Sequence, residues 1–272
     1  MIVLLDIGGT STRLALAPSK KVFETPILFD THPIYTEGIA EIRRHADELL
    51  SERLVTEVVV GIAGTLAANK RSLSRSPHLP DWVGVDLVSK FEEVFSTTAV
   101  TLINDASLGG LGEAIHGAGK GASIVAYITV GTGIGGSRIT NGEIDESASG
   151  FEIGHQMMYA NGAPTEIEDL VSGSAIQLLE GIPAKNIRDQ RVWAHYTEIF
   201  AYSLYNTILH WSPDTVVLGG SLFKDGGLSI EILKTKLAQI NTVYDKLPKL
   251  VHAELGDFGG LYGGLVYASR KM

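Results

Sequence analysis

The most constraining feature of this sequence is a structural unit that occurs twice: an apolar strand enters a glycine turn and a second strand returns. The first copy covers residues 2–17 and turns at Gly8-Gly9, and the second covers residues 122–140 and turns at residues 131–136. The copies lie roughly 120 residues apart, which predicts an internal duplication. We therefore expect two similar α/β lobes, each offering a glycine loop to a shared cleft.

The rest of the chain alternates between helical and strand periodicity, which is typical of an α/β fold. Helices are predicted over residues 36–53, 86–95, 169–180, 190–211, 230–242 and 261–269. Further strands are predicted over residues 57–62, 100–103, 215–218 and 251–254. No low-complexity linker separates these segments, so a domain boundary is expected to be a hinge within the fold.

Composition excludes several classes of function. The net charge of -9 argues against a protein that binds nucleic acid through its phosphates. The absence of cysteine excludes disulfides, thiolate zinc sites and a cysteine nucleophile. No segment approaches the ~18 apolar residues of a membrane span, and the N-terminal apolar run is too short for a signal peptide. We expect a cytoplasmic protein that acts on a small polar molecule, with no nucleic acid or membrane partner.

The second glycine loop, residues 131–136, matches the pattern G-x-G-x-x-G. A dinucleotide site requires a helix to begin at these glycines, whereas residues 137–144 predict a strand and a hairpin. Nicotinamide binding is therefore disfavoured. Residues without Cβ still let backbone N–H groups approach an anion, so the loops at 8–10 and 131–133 could hold one polyphosphate. The alternative is that each loop is only a tight hairpin turn.

Polar side chains end two of the predicted buried strands. Asp6 is suited to hold Mg²⁺ through water beside a phosphate loop, or else it caps the turn that follows. Asn104 and Asp105 end the strand over residues 100–103, where α/β folds concentrate their chemistry. The aspartate could accept a proton from a hydroxyl nucleophile while the asparagine orients the substrate. The alternative for Asp105 is an N-cap of the next helix.

Five motifs, taken in order along the chain, resemble those of the ROK family of sugar kinases and repressors. They are Asp6-Ile7-Gly8-Gly9-Thr10, Asn104-Asp105-Ala106, residues 129–136, Gly150-x-Glu152-Ile153-Gly154-His155 and Val217-Leu218-Gly219-Gly220. The resemblance spans residues 2–268. It implies an actin-like, hexokinase-type (ribonuclease H-like) duplicated two-lobe ATPase fold. The small N-terminal lobe would comprise residues 1–105 and 258–272, and the large C-terminal lobe residues 106–257. Because no helix-turn-helix segment precedes Met1, we expect a member of the kinase branch.

The resemblance also implies roles for individual residues. Asp105 would be the general base that deprotonates a sugar hydroxyl, normally that on C6, as it attacks the γ-phosphate of ATP, with Asp6 near Mg²⁺. Sugar contacts would come from Asn104, Glu152, His155, Glu168, Gly64 and His78. ATP contacts would come from Gly8, Gly9, Thr10, Gly131, Thr132, Gly133, Gly219 and Gly220. A homodimer is expected from the same resemblance.

The chain departs from the family pattern in two segments. In many members the E-x-G-H histidine binds a structural zinc together with three cysteines, but residues 156–167 contain no cysteine. A lone histidine does not hold zinc, and Gly154 disfavours a helical ligand pair, so we expect no zinc site and interpret His155 as a sugar ligand. The alternative is a histidine satisfied locally by backbone. In Ser76-Pro77-His78-Leu79-Pro80-Asp81-Trp82, His78 replaces a common asparagine, which leaves the sugar specificity open.

The leading hypothesis is an ATP-dependent, glucokinase-like hexose kinase. Alternative substrates are N-acetylmannosamine, N-acetylglucosamine, fructose and allose. An alternative of a different class is a sugar-binding sensor with weak or no turnover. A polyphosphate-dependent kinase is a third possibility, which the acidic composition disfavours.

Overall fold

The computed structural model describes residues 1–160, 162–224 and 226–270. They form two compact units. The first comprises Met1–Ile115, Glu146–Gly150 and Asp257–Met272, and the second comprises His116–Asp145 and Phe151–Gly256. The lobe boundaries expected at residues 105/106 and 257/258 stay predictions.

Each unit is built on a five-stranded sheet. The strands are β1 Ile2–Ile7, β2 Ser11–Ala17, β3 Ile27–Asp30, β4 Glu57–Ile62, β5 Thr65–Leu66, β6 Leu73–Arg75, β7 Val100–Asn104, β8 Ile124–Val130, β9 Ile134–Thr140, β10 Glu143–Ile144, β11 Met157–Ala160, β12 Ala163–Glu166, β13 Thr215–Gly219 and β14 Lys249–His252. The α-helices are α1 Tyr35–Leu50, α2 Leu87–Phe95, α3 Asp105–His116, α4 Glu168–Val171, α5 Gly173–Glu180, α6 Gln190–Trp211, α7 Ile230–Ile240 and α8 Gly259–Arg270.

The two sheets have the same topology. The first has the order β3-β2-β1-β4-β7 and the second the order β10-β9-β8-β13-β14. In each sheet the first three strands along the chain pair in antiparallel fashion. The two later strands lie on the other side of the first strand, β1 or β8, and run parallel to it. These first strands, β1 and β8, begin at Ile2 and Ile124. This repeat confirms the duplication predicted from the two glycine turns.

In the first unit, one face of the sheet forms a core with α1 and α2. Fully buried side chains of that core include Leu5, Val60, Trp82 and Phe91. Helix α8 packs against β1 and β4. It also lies against α3 so closely that a Cβ at Gly263 would overlap the backbone of Leu108. Glycines at this crossing let the two helices meet backbone to backbone.

In the second unit, the strand that follows the glycine loop turns sharply at Asn141 and Gly142. These residues have φ values of 52° and 79°, which suit a two-residue hairpin turn between β9 and β10. The strand and hairpin predicted over residues 137–144 are therefore confirmed, with β9 beginning earlier, at Ile134. No helix starts at the glycines of residues 131–136, so the dinucleotide fingerprint does not apply.

The structure corrects some predicted boundaries. The helix predicted over residues 169–180 is interrupted at Ser172, which is extended and whose Oγ accepts a hydrogen bond from the N–H of Ala175, the cap of α5. The last strand covers Lys249–His252 rather than residues 251–254, since its register with β13 pairs Thr215 with Lys249. The hairpin of β11 and β12 was not predicted. Among the described residues, no helix is long and apolar enough to cross a membrane.

Candidate active site

Asp6 lies near the end of β1, where the sheet of the first unit buries it almost completely. Arg13, its partner in the register with β2, approaches with 3.6 Å between Nη1 and Oδ2. On the other side, Gly260 of α8 leaves room for the carboxylate, because a Cβ there would lie 2.7 Å from Cγ of Asp6. Asp6 does not cap the first glycine turn, which is closed by the N–H of Gly8 donating to the carbonyl of Ser11.

The pKa of Asp6 is raised from 3.8 to about 7, first by burial and then by the negative charge of Asp105, while Arg13 lowers it. Burial disfavours the charged carboxylate, and a second carboxylate nearby disfavours it further. The negative charge of Asp105, the second aspartate predicted at a strand end, therefore disfavours the ionised form of Asp6.

Asn104 is the last residue of β7, and Asp105 is the first residue of α3. The side chain of Asn104 caps this helix, since its Oδ1 accepts a hydrogen bond from the N–H of Ser107 at 3.0 Å. Its Nδ2 donates to the carbonyl of Gly64 at 3.1 Å. The N-cap alternative for Asp105 is therefore wrong. Asp105 instead accepts, through Oδ1, a hydrogen bond from the N–H of Ala106 at 2.9 Å.

Two further predicted residues lie in the first unit: Gly64 is hydrogen-bonded to Asn104, and His78 lies beside Gly9. Gly64 has a φ of 128°, which favours glycine, and its missing side chain makes room for Ser76. His78 packs on the first glycine loop, because a Cβ at Gly9 would lie 2.7 Å from Cβ of His78. The segment predicted to border the sugar thus contacts the loop predicted to bind phosphate.

In the second unit, the glycine loop is held by the segment that contains α4 and α5. The N–H of Gly131 donates to the carbonyl of Gly133 at 2.9 Å within the loop. The N–H groups of Gly173 and Ser174 donate to the carbonyls of Gly131 and Thr132, at 2.7 and 3.2 Å. This fixes the loop backbone from the amino end of α5.

Gly219 and Gly220 follow β13 in the same unit. A Cβ at Gly219 would lie 3.2 Å from the hydroxyl of Tyr127, and one at Gly220, where φ is 89°, would overlap the backbone of Val130. Gly220 therefore requires a residue without a side chain, whereas a methyl group at Gly219 would need a small shift of Ala253 and Tyr127.

His155 ends a single 3-10 turn, Ile153–His155, which the sequence did not predict. The turn begins after Glu152, whose carbonyl accepts from the N–H of His155 at 3.1 Å. The ring of His155 pairs with Glu166 at the end of β12, with 2.5 Å between Nδ1 and Oε2. The alternative of a histidine satisfied only by backbone is therefore wrong, and Glu166 is a partner of His155 that sequence reasoning missed.

The two implied metals differ in how well they fit these residues. A magnesium ion bound with ATP keeps several waters and takes few protein ligands, so the carboxylate of Asp6 at a strand end fits it. A tetrahedral zinc site needs several nitrogen or sulfur ligands. The chain has no cysteine, and within residues 1–160, 162–224 and 226–270 no group of three or more His, Asp and Glu side chains is placed to hold a metal.

Comparison with known proteins agrees with this architecture. A crystal structure of a ROK family glucokinase from Streptomyces griseus, in complex with glucose and AMPPNP, has a TM-score of 0.81 at 21% identity and covers 97% of both chains. A ROK family transcriptional regulator, a homologue of the E. coli MLC protein, has a TM-score of 0.76 at 16% identity, covering 98% of this chain and 80% of its own. These similarities confirm the actin-like, hexokinase-type fold.

Sequence comparison extends over the whole chain. A fructokinase from Pediococcus pentosaceus is 25% identical over 290 residues, which cover 98% of this chain and 97% of the relative. The model of the ROK family matches residues 2–271. The motifs that resemble this family and the match over nearly the full length agree, and the chain belongs to the ROK family.

Proposed function

We propose that the protein is an ATP-dependent sugar kinase that transfers the γ-phosphoryl group to a hexose hydroxyl, that on C6, with Asp105 as the general base. The observation that supports this most directly is the arrangement of two neighbouring residues, Asn104 at the end of β7 and Asp105 at the start of α3. Asn104 is fixed by two hydrogen bonds and caps α3, and the next residue is a carboxylate that influences the buried Asp6. An acceptor for a hydroxyl proton is thereby attached to a rigid strand end.

In this proposal Asp105 accepts the proton of the sugar hydroxyl while the hydroxyl oxygen forms its bond to the γ-phosphorus and ADP leaves. Asn104 has one amide N–H beyond the one given to Gly64, and this N–H would donate to a sugar hydroxyl. Since phosphoryl transfer depends on alignment and charge neutralisation, these fixed groups contribute by holding the hydroxyl in line.

Backbone N–H groups of two loops would bind the phosphates of ATP: Gly8, Gly9 and Thr10 in the first unit, and Gly131, Thr132 and Gly133 in the second. Gly219 and Gly220 would border the adenosine. When bound, Mg²⁺ neutralises phosphate charge, and Asp6 would hold it through water. Arg13 offsets part of the charge of Asp6.

Glu152, His155 and Glu168 would bind the sugar, with Gly64 and His78 near its rim. We propose a glucokinase-like preference for a hexose, because a similar structure holds glucose with AMPPNP. The kanosamine kinase from Amycolatopsis mediterranei, 29% identical over 243 residues, and the fructokinase keep amino-hexoses and fructose as alternatives. We also propose that the protein works in the cytoplasm as a homodimer, as its family resemblance implies.

The test is ADP release from ATP and Mg²⁺ with glucose, fructose, mannose, allose, N-acetylglucosamine and N-acetylmannosamine. We expect sugar-dependent turnover that falls by at least about a thousandfold in Asp105→Ala and Asp105→Asn, with sugar binding retained. Near-normal turnover in either variant would remove Asp105 from the role of base. No turnover with any sugar, while sugar binding is detected by calorimetry, would favour the sensor alternative, which the similar transcriptional regulator supports.

A further inference from the structure

The pair of His155 and Glu166 sits at the base of the β11 and β12 hairpin, and three other contacts fix that base. The N–H of Ile167 donates to the carbonyl of Gln156 at 3.0 Å. The side-chain amide of Gln156 donates to Oγ1 of Thr207 on α6 at 2.8 Å. The hydroxyl of Thr207 in turn donates to the carbonyl of Ser203 at 3.1 Å. These contacts hold the base of the hairpin against α6. The backbone next to Glu166 is therefore fixed, and its carboxylate reaches the imidazole of His155.

A carboxylate accepts hydrogen bonds and donates none when it is ionised. With 2.5 Å between Oε2 of Glu166 and Nδ1 of His155, the proton between them belongs to Nδ1 in the neutral ring. The hydrogen bond at one ring nitrogen fixes the state of the other, so Nε2 then carries a lone pair. Within residues 1–160, 162–224 and 226–270, Nε2 has no hydrogen-bond partner, and the side chain is 24% exposed.

We propose that Glu166 is a positioning residue that keeps the proton of neutral His155 on Nδ1 and thereby makes Nε2 a hydrogen-bond acceptor for a sugar hydroxyl. This inference rests on the proposed function, in which His155 binds the sugar. It adds that the sugar group donates the hydrogen bond in this contact and that Nε2 accepts it. The ring recognises a ligand group that donates, such as a hydroxyl or an amide N–H, and disfavours one that only accepts.

A metal ion in the place of Glu166 would give the opposite polarity. A metal-bound imidazole donates through its other ring nitrogen, so Nε2 would then be a donor. The carboxylate therefore supplies more than rigidity at this position. It decides whether the histidine accepts or donates the hydrogen bond in its contact with the sugar.

The state of the ring can be measured without any sugar. Nitrogen-15 labelled histidine gives separate NMR signals for protonated and unprotonated ring nitrogens, and the signals of His155 are assigned by their loss in His155→Asn. We expect a protonated Nδ1 with a strongly hydrogen-bonded proton and an unprotonated Nε2. In Glu166→Ala the preference for Nδ1 is lost. The opposite tautomer in the unmodified protein, or an unchanged spectrum in Glu166→Ala, would overturn the inference.

Binding of the preferred sugar, measured by calorimetry without ATP, tests the consequence. We expect Glu166→Ala to weaken sugar binding by about tenfold, since loss of such a supporting partner typically costs 10- to 100-fold. Glu166→Gln keeps an acceptor oxygen and should bind within about threefold of the unmodified protein. Thr165→Ala, on the same strand but with a hydroxyl bonded to the carbonyl of Ala163, is the matched control and should bind normally.

A double-mutant cycle separates positioning from a purely structural role. In a His155→Asn background, Glu166→Ala should weaken sugar binding no further, because Glu166 acts through the ring. An equal, additive loss in that background would overturn the inference while leaving the kinase proposal intact. If the tautomer is as expected but no sugar of the panel binds, the proposed function fails, and with it the role of the ring in sugar recognition. Kinetically, Glu166→Ala should raise KM for the sugar and leave KM for ATP and kcat within about twofold.

Discussion

The carboxylate of Glu168 accepts a hydrogen bond from the backbone N–H of Ile134, with 2.5 Å between Oε2 and N. Ile134 directly follows the glycine loop of residues 131–133, and Glu168 begins α4. One carboxylate oxygen of Glu168 is thus hydrogen-bonded to the end of the loop, and two N–H groups at the start of α5 donate to the loop carbonyls. A residue predicted to bind sugar also anchors the loop predicted to bind phosphate.

We expect Glu168→Ala to raise KM for ATP by about tenfold in addition to weakening sugar binding. The variant leaves the N–H of the buried Ile134 without its partner, a loss of roughly 1–3 kcal/mol that the loop relieves by moving. Glu168→Gln is the matched variant, because its amide oxygen can still accept from Ile134. It should retain KM for ATP within about threefold while sugar affinity falls. Steady-state kinetics with each substrate varied in turn measure both constants. An unchanged KM for ATP in Glu168→Ala would show that the loop does not depend on this contact.

The crossing of α3 and α8 predicts that alanine at two adjacent glycines, Gly263 and Gly264, changes the stability of the protein by very different amounts. In Gly263→Ala the new methyl group would overlap the backbone of Leu108, so the helices must separate, and we expect a loss of about 3 kcal/mol in the free energy of unfolding. In Gly264→Ala the closest atom is Cδ2 of Leu4 at 3.3 Å, the end of a flexible side chain. Because alanine also favours helix, that variant should lie within about 1 kcal/mol of the unmodified protein. Denaturant unfolding measures both, and equal stabilities would contradict the close helix contact.

Much of the fold could be predicted because strong local periodicity coincides with the tertiary pattern. Helix α6 has the predicted bounds, residues 190–211, and β4 has the predicted bounds, residues 57–62. Where tertiary contacts decide, prediction was wrong. The last strand is shifted by its parallel register with β13, and the predicted helix over residues 169–180 breaks at Ser172, which uses its side chain as a cap.

The site divides in the same way. The positions of Asp6, Asn104 and Asp105 at or beside strand ends could be predicted, because each comes at the carboxyl end of an apolar run, where α/β folds collect their chemistry; their roles stay predictions. Glu166 could not be predicted, since its contact with His155 depends on the hairpin register that pairs Met157 with Glu166. The segment of residues 157–166 has weak strand periodicity, so neither the hairpin nor its register could be inferred from local sequence.

We predict that protein purified without added zinc contains no stoichiometric zinc. Nδ1 of His155 is engaged by Glu166, and a zinc ion would have to displace this bond without cysteine ligands to compensate. Elemental analysis after dialysis measures the metal content. Treatment with a chelator should leave the melting temperature unchanged, whereas a chelator-sensitive melting temperature together with one zinc per chain would contradict the prediction.

The last prediction concerns the pH dependence of stability. The pKa of Asp6 is about 7 in the folded protein and 3.8 in the unfolded reference, so the folded state binds this proton more tightly. Below about pH 4 both states hold the proton. Between pH 4 and pH 7 the unfolded carboxyl group is ionised while the folded one keeps its proton, so folding requires uptake of a proton and becomes less favourable as the pH rises; above about pH 7 both states are ionised and the loss levels off. The contribution of Asp6 to the free energy of unfolding should therefore fall by up to about 4 kcal/mol between pH 4 and pH 7.

Denaturant unfolding in metal-free buffer across this range measures this contribution, as the difference between the unmodified protein and Asp6→Asn, which cannot ionise. Asp105→Asn removes the neighbouring negative charge and should move the midpoint of this difference to lower pH. Parallel stability profiles for the unmodified protein and Asp6→Asn would show that this carboxyl group does not titrate near neutrality.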